Sequence, residues 1–314
     1  MNKLILIDGN AILHRAFHAL PPLNNKDGIP TNAVYGFFTM LFKVITDLKP
    51  EYLIVCFDRK APTFRKQMYV GYQAKRPVMS DDLVPQIDIV HKSLDKARIS
   101  HYGIDGYEAD DLIGTISKQA VEKGLEVIIL SGDRDLLQLV NSHVLMLAPI
   151  VGMTNMALFD EEKVRERYKL NPSQIIDYKA LVGDNSDNYP GVSGIGPKGA
   201  ADLLNKYQTL ENLYSHISEL PSQLQTKLAQ DAEQAALAKK LATIITDAPL
   251  KLEAEKALLS EMDIKGLKKE FEKLGFNSLL KRLEKFEEDS DRKLNETKSA
   301  SGGKDNDNGQ LNLL

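Results

Sequence analysis

Three short apolar runs in this chain each end in carboxylates. Leu4-Ile5-Leu6-Ile7 runs into Asp8, and Leu53-Ile54-Val55-Cys56-Phe57 runs into Asp58. Val127-Ile128-Ile129-Leu130 passes through Ser131-Gly132 into Asp133, with Asp135 two residues on. Apolar runs without alternation read as strands buried on both faces, the mark of a parallel sheet. In open α/β sheets the ligand site lies beyond the carboxyl ends of the strands. The three runs therefore deliver aspartates toward one edge. Like charges gathered there raise one another's pKa, and divalent cations are the natural way to neutralise them.

The rest of the composition narrows the class. A chain of 314 residues can hold one large domain or two. Cys56 is the single cysteine, which excludes an internal disulfide and reads as a buried core residue of a reducing compartment. No segment approaches the length of a membrane span, and the run at Leu4–Ile7 is too short for a signal peptide. The expectation is a soluble, cytoplasmic protein. A net charge of -4 argues on average against a nucleic-acid binder, but the average conceals a local excess. Between Arg59 and Arg76 stand Arg59, Lys60, Arg65, Lys66, Lys75 and Arg76 with no acid among them, interleaved with Phe64, Tyr69 and Tyr72. Basic charge with aromatic stacking platforms is the composition of a single-strand-binding segment.

The pattern predicts a helix over 10–20, a loop over 23–30, and a helix over 33–48 that Thr31 can cap and Lys49-Pro50 closes. Another helix begins at Ser80-Asp81-Asp82 and runs to 97, and a further one follows Gly106–Asp111 to 123, with Gly124 as its C′ residue. Strands alternating with helices give an α/β fold, a mainly parallel central sheet flanked by helices. From 161 onward helices dominate, with expected spans 199–207, 210–216, 221–231 and 232–247, and a helical pair across 263–286. The chain divides into 1–170, an α/β domain with the basic segment at 59–80; 171–286, an all-helical region; and 287–314, a tail expected to be disordered.

The acids exceed what helix capping needs. Glu108, Asp110 and Asp111 cluster at one helix start, Asp133 and Asp135 follow a strand, and Asp184 and Asp187 are spaced to share a face of a helical turn. With Asp8 and Asp58 they make nine carboxylates without a histidine or cysteine, which selects Mg²⁺ or Mn²⁺ over Zn²⁺. Such a site chiefly serves phosphate chemistry, where two ions roughly 4 Å apart clamp attacking and leaving oxygens. The six histidines are scattered without ligand spacing. The stretch Gly191 to Ala200 fails as a P-loop, because Pro197 separates Gly196 from Lys198 and no Ser or Thr follows the lysine. It fits a hairpin between helices, in which Gly194 and Gly196 let backbone N–H groups approach a phosphate and Lys198 adds charge.

Taken together, Ile7-Asp8-Gly9, Thr31 to Phe37, Phe57-Asp58, Gly106 to Asp111, Gly132 to Asp135, Gly183 to Asn188 and Gly191 to Lys198 resemble the 5′-nuclease, or flap endonuclease, family found at the N-terminus of bacterial DNA polymerase I. The resemblance covers residues 1–287. It implies a structure-specific 5′→3′ exonuclease and 5′-flap endonuclease that cuts flaps, nicked duplex and RNA primers with two divalent ions, in replication and repair. It further implies a first metal site of Asp8, Asp58, Glu108 and Asp110, and a second of Asp110, Asp133, Asp135 and Asp187. Asp111 and Asp184 would be outer partners. The basic segment corresponds to the family's helical arch, which places Tyr72, Arg65, Lys75 and Arg76 at the reaction, with Arg15 from the first helix. Gly36 and Phe37 would press on the duplex, and the glycine hairpin resembles the helix–two-turn–helix grip, which often holds K⁺.

The sequence departs from the family pattern at Gln73, where a lysine usually follows the arch tyrosine, and at Gly199, where a threonine is common. No 3′→5′ exonuclease or polymerase motifs follow, which fits a stand-alone nuclease or a truncated polymerase; the expectation is a stand-alone monomer, because of the residues on which the sequence ends. Gln310-Leu311-Asn312-Leu313-Leu314 resembles the peptide by which bacterial proteins dock on the sliding clamp. Three alternatives compete. A haloacid-dehalogenase-type phosphatase needs an aspartate where Asn10 stands. A PIN-type ribonuclease would not require the arch or the hairpin, and a silent junction binder would not keep nine carboxylates beside a DNA path.

Overall fold

The computed structural model describes residues 2–153 and 155–288. Its sheet has six strands: β1 (Lys3–Asp8), β2 (Tyr52–Cys56), β3 (Ser100–Tyr102), β4 (Glu126–Leu130), β5 (Val144–Val151) and β6 (Asn155–Phe159). Their spatial order is β3-β2-β1-β4-β5-β6, parallel throughout except for β6, which returns antiparallel beside β5. The helices of this part are α1 (Gly9–Ala19), α2 (Asn32–Leu48), α3 (Phe64–Met68), α4 (Val84–Ala97), α5 (Ala109–Glu122) and α6 (Glu161–Tyr168). Successive side chains of a strand face opposite ways, and both faces are covered. Ile5, Ile7, Val55 and Leu130 join the core beneath α1, α2 and α4, whereas Leu4, Leu6, Ile54, Cys56 and Ile129 join the core beneath α5. Burial on both sides is why these runs are continuously apolar, and each fully buried aliphatic side chain contributes about 1.5–3 kcal/mol. β1 lies between β2 and β4, so the chain order reverses there and the crevice opens over its carboxyl end.

Helix α2 is apolar on nearly every side and is buried accordingly. This corrects the assignment of Gly36 and Phe37 to the duplex: Phe37 is wholly inside, and a Cβ on Gly36 would lie 2.6 Å from that of Ala16. The glycine is there so that α1 and α2 can touch. Thr31 stands at the expected N-cap position but does not cap. Its hydroxyl donates to Leu23 O at 3.2 Å, and the free N–H groups of Ala33 and Val34 donate to Gln86 Oε1 from α4 at 2.7 and 3.3 Å.

Beyond α6 come α7 (Ile175–Val182), a two-strand hairpin of β7 (Gly183–Asp184) and β8 (Tyr189–Pro190), then α8 (Pro197–Tyr207), α9 (Leu210–Ser215), α10 (Ser222–Gln230) and α11 (Ala232–Ala242). They share a core that includes Leu181, Ile195, Leu204, Leu213 and Leu228. The last of these helices stops at Ala242, short of the expected 247, and the chain turns back along α5. Ile245 N donates to Asp111 Oδ1 at 2.9 Å, Ala248 N to Thr115 Oγ1 at 3.0 Å and Leu252 N to Gln119 Oε1 at 2.7 Å. The final elements, α12 (Ile264–Leu274) and helical residues 277–288, pack Phe271 and Phe276 into the core of α2 and α4. No helix among the described residues is long and apolar enough to cross a membrane.

Candidate metal centre

The acids of the adjacent strands β2, β1 and β4 meet over the switch point. Asp8 ends β1 and caps α1, accepting from Ala11 N at 3.0 Å and from Ser131 Oγ at 2.6 Å. Asp58, just past β2, accepts from Ala109 N at 2.8 Å, at the positive end of α5. Glu108 is the N-cap of that helix, held by Thr63 Oγ1 and Tyr72 OH, both at 3.1 Å. Asp110 follows in the first turn. Burial raises its carboxyl well above the ordinary range, and the charges of Asp133, Asp8, Asp58 and Glu108 raise it further. Asp110 thus feels the charges of four other acids of the crevice. Burial likewise pushes Asp8, Glu108 and Asp135 up to about 7 each.

A second concentration lies toward the helical region. Carboxylate oxygens of Asp135, Asp184 and Asp187 all come within 4.8 Å of one another, and no other trio among the described residues is so tight. Asp135 follows β4, while Asp184 ends β7 and Asp187 lies in the β7–β8 turn rather than in a helical turn. Gly183 and Gly191 make the hairpin possible: Gly183 has φ +77°, and a Cβ on either would collide with the backbone of the other. Lys179 of α7 pairs with both Asp135 and Asp184. Burial opposes the Asp184 charge, but the Lys179 ammonium and nearby N–H groups outweigh it and hold that carboxyl below its ordinary value. Asp187 receives Arg76 Nη2 at 2.6 Å and Tyr72 OH at 3.2 Å. Tyr72 thus donates toward both concentrations of acid. It is buried against Tyr189 and α11, and burial raises its pKa so that it stays a proton donor.

Other expected residues do different work. Asp111 is fully buried, and both its oxygens are taken by Arg65, at 2.7 and 2.8 Å, and by the N–H groups of Glu108 and Ile245. It has no free lone pair in a ligand direction, which corrects its place among the metal residues. Arg65 is correspondingly a buried junction: its remaining donors reach Leu241 O and Thr243 O, both at 2.8 Å, and it approaches Glu108 at 3.4 Å without facing solvent. Arg15 donates to Gly152 O at 3.1 Å, at the β5–β6 turn, and forms no ion pair with an acid among the described residues. Lys75 is exposed and unpaired among the described residues. The basic segment carries one short helix, α3, and otherwise turns. Gln73 sits at φ +57° with its N–H on Asp187 O at 2.8 Å. Lys179 and Ser131 escaped the sequence reading. The signal for Lys179 was a single cation in the otherwise apolar, acid-bearing run Ile175–Val182.

The glycine stretch forms a turn after β8 rather than between two helices, and Gly196 is the N-cap of α8. Gly194 adopts φ +75°, Pro197 and Lys198 open the helix, and an open groove of about 550 Å³ is lined by these residues with Ile195, Leu203 and Leu224. The sequence-predicted Gln310, Leu311, Leu313 and Leu314 lie outside the described residues.

A mainly parallel sheet with carboxylates alone at its switch point, an arginine and tyrosine reaching in from a basic segment, and a glycine turn opening a helix define a class: the metal-dependent α/β nucleases. Residues 3–169 match the family described as 5′-3′ exonuclease, N-terminal resolvase-like domain, and residues 170–265 match the 5′-3′ exonuclease C-terminal SAM fold. The chain belongs to the 5′-3′ exonuclease family. It is 39% identical over 295 residues to a 5′-3′ exonuclease of Aquifex aeolicus, covering 94% of this chain and 100% of that one. It is 42% identical over 287 residues to DNA polymerase I of Bacillus subtilis, covering 90% of this chain and 32% of that one, so it spans about a third of the polymerase's length. Among solved structures, the bacteriophage T5 flap endonuclease in complex with DNA and metal ions matches with TM-score 0.65 at 20% identity, over 87% of this chain and 100% of that one. The catalytic core of Rad2 in complex with a DNA substrate matches with TM-score 0.56 at 15% identity, over 87% of each. At these identities the likeness is one of fold.

Proposed function

We propose that this chain hydrolyses DNA phosphodiesters from the 5′ side, as an exonuclease and 5′-flap endonuclease, with two Mg²⁺ or Mn²⁺ ions. The observation that carries the reading is the convergence of Asp135, Asp184 and Asp187 beside the strand-end group of Asp8, Asp58, Glu108 and Asp110, all oxygen donors. Carboxylates raised to about 7 by burial form a site that favours added positive charge, so the residues fit divalent ions. Asp8, Asp58, Glu108 and Asp110 would hold one ion, and Asp135, Asp184 and Asp187 the other, with Asp133 between the groups; Asp184, expected as an outer partner, here replaces Asp110 and Asp133 in the second set. Bound there, the ions would supply Lewis-acid activation and charge stabilisation. The chain's own part is positional. Ser131 and the α5 N-terminus orient Asp8 and Asp58, Tyr72 fixes Glu108 against Asp187, and Arg76 brings a guanidinium to the place where a phosphate would enter.

Duplex DNA would rest its backbone on the N-terminus of α8, where Lys198 and free N–H groups meet it, with K⁺ as a further occupant of that turn. The clamp peptide at 310–314 would tether the enzyme to a sliding clamp in the cytoplasm. A labelled 5′-flap duplex incubated with Mg²⁺ or with EDTA tests the central claim. Cleavage is expected with Mg²⁺ alone, and Asp110→Asn is expected to reduce it at least about a thousandfold while leaving DNA binding intact. Appreciable turnover by that variant would remove Asp110 from the first set.

A further inference from the structure

Lys179 is the unexplained charge of the site. It rises from α7, a helix otherwise apolar but for Asp177, and its ammonium pairs with Asp135 and with Asp184 at once. These are two of the three acids whose oxygens converge within 4.8 Å. The third, Asp187, is held by Arg76 and Tyr72. The side chain of Lys179 is only 16% exposed, and those of Asp135 and Asp184 are 13% and 10% exposed. The contact is therefore an ion pair drawn out of water, where charge interactions are strong and poorly screened. A divalent ion drawn onto these carboxylates would meet an ammonium already beside two of them, and the two cations repel across a poorly screened site.

We infer that Lys179 is a built-in counter-cation of the second metal site, and that a divalent ion enters by exchanging with it rather than by simple addition. The inference rests on the two-ion reading above. Three consequences follow from the geometry. The second site is weaker than its three carboxylates alone would make it. Its acids are oriented before an ion arrives, because the lysine holds two of them in place. The site is also selective for charge, since a monovalent ion offers no advantage over the ammonium already there.

The test is a calorimetric titration of the full chain with Mn²⁺ alone, without DNA, comparing wild type with Lys179→Met and Lys179→Arg. Methionine keeps the apolar stem and removes the competing charge, so the weaker of two Mn²⁺ sites is expected to tighten by about tenfold or more while the other is unchanged. Arginine retains the charge and is expected to keep the weak affinity. A Lys179→Met site of unchanged or lower affinity would overturn the exchange, because the lysine would then only hold the acids. A wild type that binds fewer than two ions would instead overturn the two-ion reading itself. Should Lys179→Met fail to fold, the lysine ammonium resonances of the wild type give the same answer by NMR during a Mg²⁺ titration. The Lys179 signal is expected to move to the position of a solvent-exposed lysine as the second ion binds. A signal that stays at its ion-paired position when two ions are bound would exclude exchange.

Discussion

Burial lifts the carboxyls of Asp8, Glu108 and Asp135 to about 7, and hydrogen bonds from Ser131 to Asp8, the nearby Arg65 charge at Glu108, and Lys179 at Asp135 only partly offset it. The unfolded chain ionises these groups near pH 4. Between about pH 4 and 7 the folded protein therefore binds more protons than the unfolded one, and stability falls as pH rises through that window. In EDTA the melting temperature is expected to climb by several degrees as pH is lowered from about 8 to 5.5. Saturating Mg²⁺ is expected to flatten that slope, because the ion stabilises the ionised carboxylates, and the stabilisation by Mg²⁺ should grow with pH. Scanning calorimetry across this range checks both; a slope of the opposite sign in EDTA would show that the acids are not strained by their burial. The acids themselves were legible in the sequence, because Asp8, Asp58 and Asp133 follow apolar runs that can only be buried strands. What each acid meets was not. Asp110 and Asp111 are neighbours in the first turn of α5, yet one faces the crevice and the other faces Arg65, a partner 46 residues away. Ion pairing of that kind is set by packing, not by local pattern.

Helices join at the guanidinium of Arg65, which ties α3 to Asp111 on α5 and to the carbonyls of Leu241 and Thr243 at the end of α11. The cluster is nearly dry, with Arg65 2% and Asp111 0% exposed. Removing one partner of such a pair leaves a buried charge without compensation, at a cost of about 3–5 kcal/mol. Arg65→Met is expected to lower the denaturation free energy by that amount in urea, and the double variant Arg65→Met/Asp111→Leu to recover much of it. A single variant within about 0.5 kcal/mol of wild type would mean that the bridge contributes nothing net. The same junction explains why α11 ends at Ala242, where helical periodicity alone continued to 247: Arg65 and Gln138 take the carbonyls at its end, and the chain leaves extended. Likewise the start of α2 was placed correctly at Thr31, but the capping atom belongs to Gln86, more than fifty residues on. β3 leaves no mark in the sequence pattern, because its three residues at the sheet edge, His101 among them, carry no apolar run.

Over the whole molecule, the proposed reading asks two separate surfaces to serve one substrate. The acids sit over the switch point of the sheet, while the turn at Gly194–Lys198 opens α8 in the helical region, whose core also receives Leu181 from the helix that bears Lys179. The chain from 243 to 288 crosses back along α5 and onto α2 and α4, so the helical region is anchored to the sheet layer at both ends. On the proposed reading, these contacts would set the separation between the acidic crevice and the duplex backbone at α8. On the proposed reading Lys198 would bind the duplex without taking part in the cleavage, so its loss should act on affinity alone. Lys198→Ala is expected to raise the KM for a flap duplex by about three- to tenfold and to reduce the slope of log affinity against log salt by about one. The rate at saturating substrate and the Mn²⁺ titration are expected to stay as in wild type, since neither involves the α8 N-terminus. Fluorescence anisotropy across a salt series, paired with single-turnover cleavage, separates the two effects. An unchanged salt slope would show that Lys198 meets no phosphate, and a fall in the saturated rate would mean that the grip and the acidic crevice are coupled through α7 and not merely spaced by it.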